Sequence, residues 1–362
     1  MKNFRVWGVI LTIFLGSLLA FVSAQTDTPV LVNTWEKVGD GLEDAQVSSL
    51  AFDAQGNLYA GLQEYASASV FVLPSGSRTW RDFSDGLPNE GSVVLTRGQT
   101  SVMLCDTPKG TFSLTPASLR WSGQKEYRRL YRDFGSAFAF IDGRNIRYEN
   151  ERGEGSASVR QGRFTDPFSG PEYNAINSLG QFQRKPSYLM PELFFDDRGY
   201  LYFHGAGRLY KSEETVATND KSLVFKVIGG NAPLNSNLKS TVLANGTIYG
   251  AFVPDQGDKP TAKNSGVLKI TPTKDAWVDI SANLPKASSF VLGASPKGEV
   301  YVGASGFGVY TLPAGVTTWL PLASSSLSGA ALEIQAIAFD ANGLPYIGTK
   351  AGVFRGVRSR TP

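Results

Sequence analysis

Residues 47–61 read VSSLAFDAQGNLYAG, and residues 334–348 read IQAIAFDANGLPYIG. In both, apolar residues alternate with polar ones, a short turn bearing Asp and Gly follows, and a second alternating run carries an aromatic. Period-two alternation on both sides of a tight turn is the signature of a β-hairpin. The pattern recurs as PELFFDDRGYLYFHG at 191–205, KSTVLANGTIYG at 239–250 and SFVLGASPKGEVYVG at 289–303. A third strand follows each hairpin, as in SVFVL (69–73), GTFSL (110–114), GVLKI (266–270), GVYTL (308–312) and GVFRG (352–356). A fourth element closes the unit, as in TWRDFSDGLP (79–88), VFKVIGGNAP (224–233), AWVDISANLP (276–285) and TWLPLASSSL (318–327). No helical 3.6-residue pattern competes beyond the first residues.

Four strands recurring about every 46 residues is the period of a propeller blade, so the fold class is all-β, a β-propeller. Blade starts fall near Val47, Gly91, Phe134, Pro191, Lys239, Ser289 and Ile334, which makes seven four-stranded blades. The last unit has only three strands. The missing one lies at the other end, where TWEKVGDGL (34–42) matches the closing element TWRDFSDGL. The N-terminal strand is therefore expected to close the ring, pairing the two open edges. The unit near 134–187 lacks the closing motif, and six blades with an insertion is the alternative.

The chain begins with a basic start, Lys2 and Arg5, then an apolar stretch from Val6 to Val22, then Val22-Ser23-Ala24 as a cleavage site. This predicts a cleaved secretory signal peptide over 1–24, with an uncleaved membrane anchor as the alternative. A short leader (25–33), a single propeller domain (34–358) and a tail (359–362) would follow. The localisation expected is secreted or periplasmic, without stable membrane insertion. Of 362 residues, 42% are hydrophobic and 12% aromatic, enough for a packed core. The formal charge is +3, which offers no footprint for nucleic acid. One histidine and one cysteine argue against most metal centres and exclude a disulfide within the chain. No cofactor is expected, and the molecule is expected to be a monomer.

The hairpin motif resembles the extracellular sensor repeats of hybrid two-component regulators. GLEDAQVSSLAFDAQGNLYAGL (41–62) and IQAIAFDANGLPYIGTKAGVF (334–354) carry that resemblance. It implies a propeller and names no ligand. No kinase segment accompanies it, so a signalling output is not expected. A more distant similarity runs to the sialidase-like, BNR-type and photosystem-assembly propellers. Thr79-Trp80 and Thr318-Trp319 keep only the ending of their Asp-box, without its Asp and Gly.

Function on such a frame sits on loops. The first-to-second turns are short and uniform, whereas the second-to-third loops vary, which marks their face as the working one. The ligand-binding candidates on it are Glu64, Tyr65, Asp106, Lys109, His204, Asp255, Asp258, Phe307 and Lys350. No catalytic residue and no metal ligand is assigned. His204 stands where other units have Gly61, Gly303 and Gly348, and it is the one side chain with an ordinary near-neutral pKa. As a lone histidine with no identified carboxylate partner it reads first as a packing or hydrogen-bonding residue. The longest loop, AFVPDQGDKPTAKNSG (251–266), reads either as a binding loop or as a solvated insertion. Asp255 and Asp258 alone are weak for calcium, which needs about six to eight oxygens. Cys105 reads as a small buried hydrophobe. The arginines between Tyr127 and Arg163 suit an acidic glycan, but interleaved carboxylates suit a mixed-charge solvated face. Trp35, Trp80, Trp277 and Trp319 occupy equivalent closing strands, which argues for packing between blades.

The function expected is an exported, non-catalytic propeller that binds a protein or a glycan. The alternatives are an envelope assembly scaffold and a carbohydrate-active enzyme, a glycosidase or lyase. The enzyme would need carboxylates ~5–10 Å apart.

Overall fold

The computed structural model describes residues 32–63, 68–88, 93–97, 103–107, 110–114, 120–123, 128–129, 138–142, 145–150, 153–159, 192–196, 198–205, 208–215, 221–223, 225–255, 257–271, 273–313 and 315–358. The expected signal segment, most of the leader and the tail lie outside them. Among the described residues no helix is long and apolar enough to cross a membrane.

The described strands form seven sheets. Strand β1 is Thr34–Lys37. The first sheet holds β2 (Val47–Phe52), β3 (Leu58–Leu62), β4 (Val70–Leu73) and β5 (Arg81–Asp82) in that order. The second holds β6 (Val94–Arg97), β7 (Met103–Thr107), β8 (Gly110–Leu114) and β9 (Ser122–Gly123). The third is built on β10 (Arg128–Arg129), β11 (Phe138–Asp142), β12 (Asn145–Asn150) and β13 (Gly153–Val159). The next five strands are β14 (Glu192–Phe195), β15 (Tyr200–Gly205), β16 (Arg208–Thr215), β17 (Lys221–Leu223) and β18 (Phe225–Ile228). Four of them make the fourth sheet, while β17 leaves it and runs parallel to β13, with Ala157 opposite Lys221. The fifth sheet is β19 (Ser236–Ala244), β20 (Thr247–Pro254), β21 (Gly266–Ile270) and β22 (Val278–Asp279). The sixth is β23 (Phe290–Ala294), β24 (Val300–Ala304), β25 (Gly308–Leu312) and β26 (Leu320–Pro321). The seventh is β27 (Ile334–Phe339), β28 (Pro345–Thr349) and β29 (Gly352–Val357), with β1 antiparallel along β29. Trp35 stands opposite Gly356 and Lys37 opposite Phe354.

The turns that organise the hairpins are held by their acidic residue. Asp53 Oδ1 accepts from the amides of Gln55 and Asn57 at 2.9 and 2.8 Å, and Oδ2 accepts from Tyr59 OH at 3.3 Å. Asp196 repeats this with Arg198, Tyr200 and Tyr202 OH, and Asp340 with the amides of Asn342 and Leu344. In the sixth sheet the carboxylate has changed ends. Ser295 Oγ accepts the Glu299 amide, and Glu299 Oε2 receives Tyr301 OH at 3.3 Å. Burial, with the Asp53 carboxylate beside it, pushes the Tyr59 phenol up to about 12. Burial raises Tyr202 and Tyr301 as well, helped by Asp196 and Glu299.

The core lies in the seams between consecutive sheets. Val242, Val253 and Val267 of the fifth pack with Val300, Val302 and Trp319 of the sixth. Leu50, Leu58 and Trp80 pack with Ala336 and Val353 across the seam between the first and seventh sheets. One hydrogen bond recurs along the outer edges. The indole of Trp35 donates to the Leu322 carbonyl at 2.8 Å, Trp80 to Val38 at 2.7 Å, Trp121 to Phe83 at 2.7 Å and Trp319 to Ile280 at 2.6 Å. Each acceptor lies three residues after a tryptophan of the preceding sheet. Its own amide donates to that sheet's third strand: Val38 to Val353, Phe83 to Val70, Ile280 to Val267 and Leu322 to Val309.

Near the inner strands the seams close on glycine. A Cβ at Gly348 would stand 2.7 Å from Val47 Cγ1, and one at Gly303 would stand 2.8 Å from Ile334 Cβ. By contrast, Gly76 has nothing within 4 Å.

Three outcomes are expected. Trp80→Phe orphans the Val38 carbonyl and destabilises by about 1–3 kcal/mol, read as a lower denaturant midpoint at unchanged slope. Gly348→Ala overpacks a seam and costs about 1–3 kcal/mol on the same assay. Raising the pH from about 10 to about 12 lowers stability, because unfolded tyrosines ionise near 10 while Tyr59, Tyr202 and Tyr301 keep their protons when folded. A tyrosinate absorbance titration checks this. These three stay silent while exposed phenols ionise, and the distinction vanishes in denaturant.

Candidate functional site

Within the regular sheets the chain runs from the inner strand outward. The second-to-third and fourth-to-first connections therefore emerge on one face. Backbone bonds stitch them together: Gln63 N donates to Gln46 O at 2.8 Å, Ser305 N to Ser289 O at 3.0 Å, and Asp255 N to Asn235 O at 3.1 Å. Gly306 N likewise donates to Leu332 O at 3.0 Å, holding the β24–β25 turn against the entry to β27.

One of the sequence candidates, Lys350, meets on this face a residue the sequence did not single out. Glu333 precedes β27, and its carboxylate accepts a short hydrogen bond from Ser305 Oγ. Lys350 Nζ, in the β28–β29 turn, lies 3.8 Å from Glu333 Oε2, with the two side chains 44% and 37% exposed. Phe307, at the tip of the turn tied to Leu332, is 47% exposed.

Beside this group a β-bulge shapes the inner strand. The pairing of β27 with β28 slips between Ile334 and Ala336, so Gln335 is the extra residue. The same slip occurs between Val47 and Ser49 and between Leu238 and Ser240, at Ser48 and Lys239. The paired stretch of β23 with β24 runs without one. A bulge leaves one residue out of the ladder and re-aims its side chain. Gln335 uses that freedom to cross the seam: its Nε2 donates to Gln63 Oε1 at 3.4 Å. Its own Oε1 is buried and finds no donor among the described residues. A buried acceptor left so costs about 1–3 kcal/mol.

The other candidates are placed differently. Asp255 takes a short hydrogen bond from Asn237 Nδ2, so its carboxylate braces the exit of β20. Asp258 is exposed, and its amide donates to Asp255 O at 3.0 Å. The long loop is folded on itself rather than merely solvated. Asn264 is buried, accepts from Thr261 N and Oγ1 at 2.8 Å each, and donates to Lys259 O. Glu64, Tyr65 and Lys109 lie outside the described residues. For Asp106 and His204 the backbone alone is described. Asp106 stands opposite Val94 and Thr111, and His204 opposite Glu192 and Leu209. Cys105 is buried. Of the arginine-rich stretch, Arg128, Arg129 and Arg147 lie in strands.

Gln335, Gln63, Glu333 and Ser305 were not readable as a site. The available signal was the extra residue of IQAIAF relative to FVLGA, which becomes visible only against the partner strand.

No family model matches the chain, and no curated protein matches it. Solved structures do. The extracellular domain of the putative hybrid two component system BT4673 from B. thetaiotaomicron aligns with TM-score 0.59 at 13% identity, over 90% of this chain and 40% of that one. The chain thus spans well under half the length of that domain. A streptogramin B lyase aligns with TM-score 0.58 at 12% identity, over 89% of this chain and 96% of that one. YCF48 bound to D1 peptide aligns with TM-score 0.56 at 12% identity, over 91% of this chain and all of that one, 100%. At such identities the likeness establishes the fold: all-β, of the propeller kind.

The Glu333–Lys350 pair is half-exposed, so it contributes little to stability. Lys350→Ala is expected to change the unfolding free energy by less than about 1 kcal/mol, checked by chemical denaturation.

Proposed function

We propose that this chain is an exported binding module: a propeller of seven blades, closed by its N-terminal strand, that takes a protein or glycan ligand on its loop-rich face. The observation that carries the reading is the polar group on that face, where Glu333 accepts from Ser305 Oγ and lies 3.8 Å from Lys350 Nζ, with the Gln335–Gln63 side-chain bond two residues on. Phe307 is exposed on the turn bonded to Leu332. Such a set can orient a polar ligand, and the weak coupling of Lys350 to stability leaves it available to contact one. The seven sheets, with β1 along β29, support the blade count and the closure. Extracellular sensor domains among the structural neighbours support a ligand-binding role outside the cytoplasm. A lyase among them makes turnover worth assaying alongside binding.

The test is a thermal-shift screen of the chain made without residues 1–24, against neutral and acidic sugars, peptidoglycan fragments, capped peptides and divalent cations. A ligand at 100 times its dissociation constant adds about 2.7 kcal/mol, a rise of a few degrees for a domain of this size. The expected result is a shift for at least one member that disappears in Glu333→Gln and Gln335→Leu. Shifts indifferent to both variants would move the ligand off this seam.

A further inference from the structure

We infer that Asn245 is a site of spontaneous covalent modification, where the side-chain amide is lost and the contact it makes between the fifth and sixth sheets is reversed. The site lies on the first-to-second turns, at the opposite strand ends from the loop-rich face, and is independent of any ligand there.

The chemistry needs an asparagine followed by a residue that does not hinder ring closure. The main-chain nitrogen of Gly246 attacks Asn245 Cγ. The new N–Cγ bond forms, the Cγ–Nδ2 bond breaks, and ammonia departs with the proton of the attacking N–H. The five-membered imide then takes up water at either carbonyl, leaving aspartate or its isomer linked through the side-chain carboxyl. Water is the one co-reactant, and nothing is oxidised or reduced. Glycine, without a Cβ, hinders the ring least. The sequence has two such pairs, Asn245-Gly246 and Asn342-Gly343.

The structure separates them. Gly343 N donates to Asp340 O at 3.0 Å, and Asn342 N to Asp340 Oδ1 at 2.9 Å. The nucleophile of that pair is therefore engaged, as are the amides of Gly56, Gly199 and Gly298 in the corresponding turns. The fifth sheet turns differently. Ala244 stands opposite Thr247, so Asn245 and Gly246 form a two-residue tip, with φ of 47° and 68°. Both are exposed, and Gly246 N donates to nothing among the described residues. A Cβ at Gly246 would meet nothing within 4 Å, which leaves room for the rotation that brings Gly246 N to Asn245 Cγ.

The amide that would be lost joins two sheets. Asn245 Nδ2 donates to Gly298 O at 3.3 Å, from the turn of the fifth sheet to that of the sixth. The bond is long and exposed, so it yields readily to that rotation. The side chain lies against Gly298 so closely that a Cβ there would collide with it. An aspartate at 245 has no N–H to give, and its charged oxygen would face a carbonyl oxygen. An attraction across the seam becomes a repulsion.

The experiment incubates the purified protein in heavy-oxygen water at neutral and mildly alkaline pH, folded and in denaturant. Both Asn-Gly peptides are followed by mass spectrometry after digestion. The expected result is conversion at Asn245 roughly tenfold faster than at Asn342 in the folded chain, with the difference gone in denaturant. The denaturant arm needs no variant to fold. Asn245→Gln should abolish conversion at that position and leave Asn342 at its own rate. Equal rates in the folded chain, Asn342 ahead, or a folded chain unchanged at both positions while the denatured one converts would overturn the assignment. The seam contact is read by comparing Asn245→Asp with Asn245→Ser, too short to reach Gly298 O. Aspartate is the better of the two in left-handed backbone. A lower melting temperature in Asn245→Asp therefore reports the repulsion, and an equal or higher one would overturn it.

Discussion

A tryptophan indole donating to the main-chain carbonyl of the preceding sheet is the interaction on which this molecule turns. A sheet four strands wide has its own ladder but no means of fixing its angle to the next. The latch supplies one. The accepting peptide is held at both ends, its N–H by its own third strand and its C=O by the neighbour's indole, as at Val38, Phe83, Ile280 and Leu322. At these four seams the preceding sheet therefore sets the outer edge of the next, and the apolar seam fills behind it. The Trp35 and Trp80 latches treat the N-terminal strand like any other outer strand.

With the outer edges latched and the inner strands drawn together over glycine, variation is confined to the loop-rich face. There the same frame tolerates a folded loop braced by Asn264, an exposed phenylalanine and bulges carrying serine, lysine or glutamine. Rigidity below and licence above is the usual division of labour on repeat scaffolds. It explains why a buried, unsatisfied amide at Gln335 is tolerated. The seam around it is held by contacts in which it takes no part.

The fold was legible because its signals are local. Alternation around Asp53, Asp196 and Asp340 marks hairpins, and the match of TWEK to TWRD marks Thr34–Lys37 as an outer strand, which lies along Gly352–Val357. The placement of tryptophan between sheets was legible for the same reason, by recurrence at one position. Partnerships at a distance were not. The segment at Lys221–Leu223 reads as a strand, but nothing in it announces a parallel run beside Ala157–Val159. The site was less legible still. Phe307 and Lys350 stand out by their variable loops, whereas Glu333, which unites Lys350 with Ser305, sits in a fourth-to-first connection with no sequence signal of its own. Gln335 looks like an ordinary polar residue in an alternating strand until its partner strand reveals that the ladder skips it.

The pairing of β1 with β29 also has a kinetic meaning. Trp35 bonds Leu322 across 287 residues of chain, and its amide reaches Ser326 Oγ across 291. The first strand to be synthesised must wait for the last before it finds its place. Until then, Thr34–Lys37 has no partner strand, the state that invites pairing with a foreign edge. Closing so long a loop adds little to the entropy already lost, because that term grows only with the logarithm of length, but it slows the search. The seventh sheet therefore stays incomplete until both of those segments have been made.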